Sequence, residues 1–138
     1  KEYLAGWKRA KADLVNYKKE ENERLEQTID RAKTGMIEEL LVVIDNLDRA
    51  EATVKEKHKK DTVVQGFLQI AQQLRKFLAE KGVEEIEAIG ETFDPSLHEA
   101  LGTVKSKKYK SGKVAKQIEK GYTFKGRLLR ATKVQISE

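Results

Sequence analysis

From Tyr3 to about Val54 the chain repeats apolar residues at steps of three and four. Tyr3, Trp7, Ala10, Leu14 and Tyr17 form the first run. After a polar position at Glu21, the stripe resumes at Leu25, Ile29, Ala32, Met36, Leu40, Val43, Leu47, Ala50 and Val54. Such steps keep one face of an α-helix turned the same way, and the stretch contains no proline and only Gly6 and Gly35. About fifty helical residues would reach roughly 80 Å. That exceeds the width of a compact domain made from the remainder, so the helix is expected to project or to pair with a second chain. From Tyr17 to Ile29 every step is four, an insertion that locally unwinds a left-handed supercoil. Lys18 to Glu26 is nearly all charged, so the seam is weakest there. The pattern predicts two helices from two chains, parallel or antiparallel; a single helix kept soluble by its charges is the alternative.

Beyond Gly35 the stripe widens through Met36-Ile37 and Leu40-Leu41-Val42-Val43-Ile44. A wide stripe needs more than one helical neighbour. Lys55 to Lys60 is polar and reads as a turn, and Asp61 or Thr62 can cap a second helix. That helix runs from about Thr62 to Lys81, with Val63, Val64, Phe67, Leu68, Ile70, Ala71, Leu74, Phe77 and Leu78 on one side. Gly82 stops it, and Lys76 and Lys81 suit the negative end of its dipole. Two such helices from each of two chains would close a four-helix bundle. From Val83 the helical period ends. Val83, Ile86 and Ile89 suggest a short strand, and Phe93-Asp94-Pro95-Ser96 is turn chemistry. Leu97 to Leu101 is either a helical turn or the lead into a strand through Val104. Lys105 to Gly112 reads as a polar hairpin connection. Val114 to Ile118, Tyr122 to Phe124 and Leu128 to Ile136 read as strands, with turns at Lys120-Gly121 and Lys125-Gly126. In the last of them Leu128, Arg130, Thr132, Val134 and Ile136 share one face by parity.

The expected fold class is α+β: a long N-terminal helix pairing in a dimer, a short-helix four-helix bundle and a small C-terminal all-β domain. The expected boundaries are residues 1–56 for the long helix, 57–82 for the second helix and 83–138 for the β domain. Trp7, Leu14, Tyr17, Leu25, Ile29, Met36, Leu40, Val43, Leu47, Phe67 and Leu74 are the residues expected in the dimer and bundle seams.

Charge sharpens this division. The chain has 138 residues, 37% of them charged, and a formal net charge of +5. Lys1 to Glu56 holds eleven basic and thirteen acidic residues, a net of −2, whereas Lys105 to Lys133 holds eleven basic residues against Glu119 alone, a net of +10. The basic excess belongs to the C-terminal part and points to an acidic partner surface or to nucleic acid. With no cysteine, disulfides and thiolate metal sites are excluded, and a reducing, cytoplasmic setting is expected. The longest apolar run, Leu40 to Ile44, is far shorter than a membrane span.

The chemical motifs are incomplete. Gly121-x4-Gly126-Arg127 lacks the Lys-Ser/Thr of a phosphate-binding loop and leads into a strand pattern rather than a helix. His98-Glu99 begins like a His-Glu-x-x-His zinc site, but position 102 is Gly; His98 is expected to hold the turn after Pro95 instead. With His58 and His98 as the only histidines, no metal ligand set and no cofactor is expected. The serines lie in turns or at the terminus, and the carboxylates are scattered over helix surfaces. An enzyme is not expected. Lys107, Lys108 and Lys110 around Tyr109 would suit phosphate contacts with a stacking ring. A solvated loop is the plainer reading, so nucleic acid is not the expected partner.

Four ordered blocks carry a resemblance. Leu41-Val42-Val43-Ile44-Asp45-Asn46-Leu47-Asp48-Arg49-Ala50 resembles the helix segment of the GrpE family, nucleotide exchange factors of DnaK-type heat-shock chaperones. Lys76-Phe77-Leu78 with Gly82-Val83 and Ile86 is similar too, as is Phe93-Asp94-Pro95-Ser96-Leu97-His98-Glu99-Ala100. The fourth block is Gln117-Ile118-Glu119-Lys120-Gly121-Tyr122-Thr123-Phe124-x-Gly126-Arg127-Leu128-Leu129-Arg130-Ala131. The resemblance implies a homodimer that binds the chaperone's ATPase domain, with the β domain as a wedge, and opens its nucleotide cleft. It further implies chaperone contacts at Arg127, Ile118 and Ile136, and from the helix at Arg49 and Lys18. For Arg49 an intrahelical pair with Asp45 is the alternative, and for Arg127 a plain surface turn. Lys18-Lys19-Glu20 carries lysine where the family shows more arginine, and lysine lacks arginine's bidentate fork. A thermosensor role for the paired helix is also implied. A structural coiled-coil adaptor is the rival function.

Overall fold

A computed structural model describes residues 1–138. The first helix, α1, spans Glu2–Thr53, and the chain divides into two units, Lys1–Ile37 and Glu38–Glu138. The division lies just beyond Gly35, where the apolar stripe widens. In the first unit every residue is helical from Glu2 on, and none is buried. Tyr3, Trp7, Leu14, Tyr17, Leu25, Ile29 and Met36 are all exposed. Local bonds do what packing does not. Arg24 pairs with Glu21 at 2.9 Å, the Thr28 hydroxyl donates to the Arg24 carbonyl, and the Lys11 ammonium lies 5.0 Å from the Trp7 ring centroid.

In the second unit the C-terminal turns of α1 bury Leu41 and Ile44, at three-residue spacing, while Val43 stays exposed. After α1 a short 3-10 turn at Glu56–His58 leads to α2, Thr62–Glu80. The turn was expected; the cap differs. Asp61 takes the N-cap backbone conformation without a side-chain cap bond, because its carboxylate meets His58 Nδ1 at 3.0 Å instead. No basic residue lies in the last turn of α2. Lys81 is its C-cap, with its ammonium 5.5 Å from the Phe77 ring. Gly82, at φ 92°, ends the helix. Ala71 and Leu78 are buried, whereas Val63, Ile70 and Phe77 are exposed.

Six strands follow: β1 Val83–Glu85, β2 His98–Val104, β3 Val114–Glu119, β4 Tyr122–Phe124, β5 Arg127–Arg130 and β6 Thr132–Ser137. They form two three-stranded sheets, ordered β1-β4-β5 and β2-β6-β3. The architecture is therefore α+β, with the strands C-terminal to the helices.

Four expectations about the strands are resolved or corrected. β1 ends at Glu85, because Val83, Ile86 and Ile89 recur every third residue rather than every second; Ile86 N–H still bonds to the Gly121 carbonyl, but Ile89 is exposed. The strand alternative holds for the segment after Leu97. Lys105 to Gly112 is no hairpin, since β2 and β3 both pair with β6 and not with each other, β2 in parallel and β3 antiparallel. The expected single strand from Leu128 to Ile136 is two, because the chain changes sheets at Ala131.

Lys125 (φ 48°) and Gly126 (φ 78°) both adopt left-handed backbone between paired Phe124 and Arg127. This is the two-residue turn that suits the strand twist of a hairpin. At the sheet junction Gly121 is indispensable for a different reason: a Cβ there would lie 2.4 Å from the Thr132 amide nitrogen. Ala88, Val114 and Val134, with Phe93 against them, form a buried cluster within the β region. The turn into β2 is held by its own polar groups. Asp94 Oδ1 accepts from the Ser96 hydroxyl at 2.6 Å and its amide at 2.9 Å, which hold its carboxyl below the usual range. Buried His98 accepts the Asp94 amide at Nδ1, at 3.0 Å. His98 is thus the turn-holding residue that its position after Pro95 suggested.

Replacing Gly121 by Ala should destabilise the β region by about 2–4 kcal/mol, since backbone must move to admit one methyl group. Urea unfolding followed by the tyrosine circular dichroism signal would measure this, and an unchanged midpoint would refute the close approach.

Candidate functional site

Asp45, Asp48 and Glu51 recur every third residue on α1, which places them along one side of the helix. Each is met by a cation from another element of the second unit. Arg130, the last residue of β5, grips Asp45 with two bonds of 2.7 and 2.6 Å. Its Nε donates to the Lys120 carbonyl at 2.8 Å, Glu119 approaches to 3.3 Å, and its guanidinium lies 5.5 Å from the buried Tyr122 ring. On α2, Arg75 bonds to Asp48 at 2.5 Å and to both oxygens of Glu51 at 2.9 and 2.6 Å. Lys120 lies 3.6 Å from Asp48 and 3.3 Å from Glu85.

Paired, planar hydrogen bonds between guanidinium and carboxylate are strong and directional, and these are only partly exposed. Hydrogen bonding by Arg75 is the main reason the Glu51 carboxyl is held below its ordinary 4.5, with burial working against it. The Asp45 fork similarly pushes Arg130 above the usual arginine value. Burial, reinforced by Asp48, Glu85 and Asp45, drives the Tyr122 phenol far upward.

This arrangement settles what Arg49 does within the chain. Asp45 is committed to Arg130, so the intrahelical Asp45–Arg49 pair is not made. Arg49 is exposed and donates to Asn46 Oδ1 at 2.5 Å, a neutral partner that leaves its charge uncompensated. It lines a cleft of about 380 Å³ together with Asp45, Asp48, Ile118, Glu119 and Lys120. Two residues chosen from the sequence, Arg49 and Ile118, are therefore brought together, and Ile118 is half exposed. Arg127 lies apart, exposed beside the β4–β5 turn, with Leu128 exposed next to it. Ile136 is only partly exposed and is the cross-strand partner of buried Val114. Lys18 is exposed on α1 in the first unit.

The network cations Arg75, Lys120 and Arg130 carry the site's geometry but were not among the residues chosen from the sequence. The acidic spacing on α1 was the available signal. The +10 stretch is also less basic than its count, since Lys120, Arg130 and Lys133 face carboxylates. Tyr109 does not stand out as a stacking ring: a Cβ on Gly90 would lie 3.2 Å from it. No group of three or more histidine, cysteine or carboxylate side chains is arranged to hold a metal ion. No helix is long and apolar enough to cross a membrane.

A depressed folded-state value means that Glu51 stabilises fully above its ordinary pKa of 4.5, and that this is lost as the pH falls through the depressed value. The stability difference between the native chain and Arg75→Gln should be constant above that range and shrink below it, as read by urea unfolding at several pH values. Arg130→Ala, which leaves Asp45 without its partner, should cost about 2–3 kcal/mol in the same measurement; a loss below about 0.5 kcal/mol would remove the fork from the account.

The family model described as GrpE matches residues 1–138. The chain is 33% identical over 129 residues to Protein GrpE of Halalkalibacterium halodurans, covering 94% of this chain and 66% of that protein. With Protein GrpE of Exiguobacterium sibiricum it shares 34% identity over 130 residues, covering 94% and 69%. For the Bacillus subtilis protein of the same name the identity is 31% over 130 residues, covering 94% and 70%. The chain thus spans about two thirds of the length of these curated relatives.

Proposed function

The chain belongs to the GrpE family, and from that membership we propose that it is a nucleotide exchange factor that binds the ATPase domain of a DnaK-type heat-shock chaperone and accelerates ADP release. The family match along the whole chain carries this reading. The mechanism is linkage. A factor that binds the open nucleotide cleft more tightly than the closed one lowers ADP affinity by the ratio of those two affinities. No group of the factor has to touch the nucleotide, so the reading requires a binding surface rather than catalytic residues, and the chain acts as a co-chaperone and not as an enzyme.

For that surface we propose Arg127, Ile118 and Ile136 from the strands and Arg49 and Lys18 from α1. Arg127 is favoured by its exposure beside a tight two-residue turn, its side chain making no hydrogen bond or ion pair. Arg49 and Ile118 are favoured by the cleft they share, which offers a charge without an acidic partner next to apolar area. Ile136 is the least accessible of the three strand residues, and Lys18 rests on its motif position and exposure.

We further propose a homodimer in the cytoplasm. Val63, Phe67, Ile70, Leu74 and Phe77 follow each other at steps of four and three on α2, the spacing of a helix seam. Three of them are exposed, as are Met36 and Val43 on α1. A second copy would cover both stripes as a four-helix bundle, and the open stripe from Tyr3 to Ile29 as a helix pair.

The test is release of fluorescent ADP from a purified DnaK-type ATPase domain. The chain at saturation should accelerate release, and no acceleration would refute the proposal. Arg127→Ala should weaken binding to the ATPase domain about tenfold or more with helical content unchanged. In sedimentation, the native chain should run as a dimer and Ile70→Glu/Phe77→Glu as a monomer. A native monomer at micromolar concentration would overturn the bundle.

A further inference from the structure

The sheet β2-β6-β3 has two edges, and they are not equivalent. On β2 the five residues from Glu99 to Thr103 are all exposed, and Leu101 is half exposed. Beyond β6, no strand pairs with it. Natural edge strands are usually protected by inward charges, proline or a covering element, because an open row of amide and carbonyl groups accepts another strand. Glu99 is the one charged residue of β2, and from Ala100 to Val104 there is neither charge nor proline. The register shift between Ala100 and Thr103 at Gly102 bends the strand but leaves it uncovered.

The segment leaving this edge is basic. Lys105, Lys107, Lys108 and Lys110 follow Val104, and Lys113 and Lys116 come next, with no acidic residue from Val104 to Ile118. The segment is pinned. The Ser106 hydroxyl accepts the amides of Lys108 and Tyr109, and the Ser137 hydroxyl donates to the Tyr109 carbonyl at 2.8 Å. Gly112 N–H bonds to the Ser137 carbonyl, and Ser137 N–H to the Lys113 carbonyl. Lys105, Lys107, Lys108 and Lys110 make no ion pair, in contrast with Lys120, Arg130 and Lys133. An ordered loop thus holds a group of uncompensated cations at the end of an open strand.

We propose that β2 and the Lys105–Lys110 segment form a docking edge for an extended acidic peptide segment of a partner protein. Backbone of the peptide would add to β2 as a further strand, and its carboxylates would meet Lys105, Lys107 and Lys108. The strand component is what favours a peptide over nucleic acid, for which an open backbone edge offers nothing; the Tyr109 ring is half-buried and has the Lys108 ammonium 5.3 Å from its centroid.

The experiment uses the full chain and a fluorescent peptide of about ten residues alternating Glu and Val, with a Lys–Val peptide as control. Binding should be seen by anisotropy for the acidic peptide only, and should weaken as salt rises from about 0.05 to about 0.5 M. Lys105→Glu/Lys107→Glu/Lys108→Glu should weaken it at least about tenfold. Hydrogen exchange should slow at the amides of Ala100 to Thr103 when the peptide is bound. Binding without that protection would overturn strand addition, absence of binding would overturn the edge as a site, and tighter binding of a duplex oligonucleotide would assign the lysines to nucleic acid instead. No chaperone is present, so failure here leaves the exchange reading intact, and failure of exchange leaves this one intact.

Discussion

The second unit depends on the fork between Arg130 and Asp45. It joins residues 85 positions apart in the chain, from the end of β5 and from the side of α1. Because both groups are partly withdrawn from water, losing one partner strands the other in a poor environment. The fork also has a consequence for recognition. By occupying Asp45 it denies Arg49 the carboxylate one turn away, and Arg49 is left with the Asn46 amide. A structural pair thereby sets free the charge that a binding surface can use.

Arg75 repeats the same device from α2, taking Asp48 and Glu51. The three acidic residues on α1 are thus divided between two arginines, with Lys120 reaching the middle one. Isolated surface pairs contribute little, but a shared network loses less side-chain freedom for each bond it makes, and bidentate geometry fixes orientation as well as distance. Leu41, Ile44, Ala71 and Leu78 supply the buried apolar side chains of the two helices, and the charged network ties α1 to α2 and to the strands of this unit.

Exchange by linkage asks nothing of the chain beyond a surface that prefers one state of its partner. The exposed cations at Arg49 and Arg127 are the charges we propose for that surface, and the open apolar stripes are left to the second copy of the chain.

Helices and family blocks were legible from residue order alone, because helical periodicity and short motifs are local. The stripe from Tyr3 to Val54 and the helix from about Thr62 to Lys81 lie within a residue or two of α1 and α2. The turn at Lys125-Gly126 was equally local, needing only a glycine and a short polar gap. Parity could not reveal that the chain changes sheets at Ala131, since a strand broken between two sheets reads as one alternating run. Nor could the Lys105–Gly112 connection be recognised as a crossing loop, because its length suits a hairpin and only the pairing of β2 with β6 excludes one. The sites followed the same rule. The exposure of motif residues such as Arg49 and Arg127 is a local matter that a sequence suggests, whereas the Arg130, Arg75 and Lys120 network was not foreseen, since which carboxylate a cation meets depends on elements brought together across the chain. Periodicity determined the elements, and long-range pairing of backbone and charge, invisible to any local window, decided how they are joined.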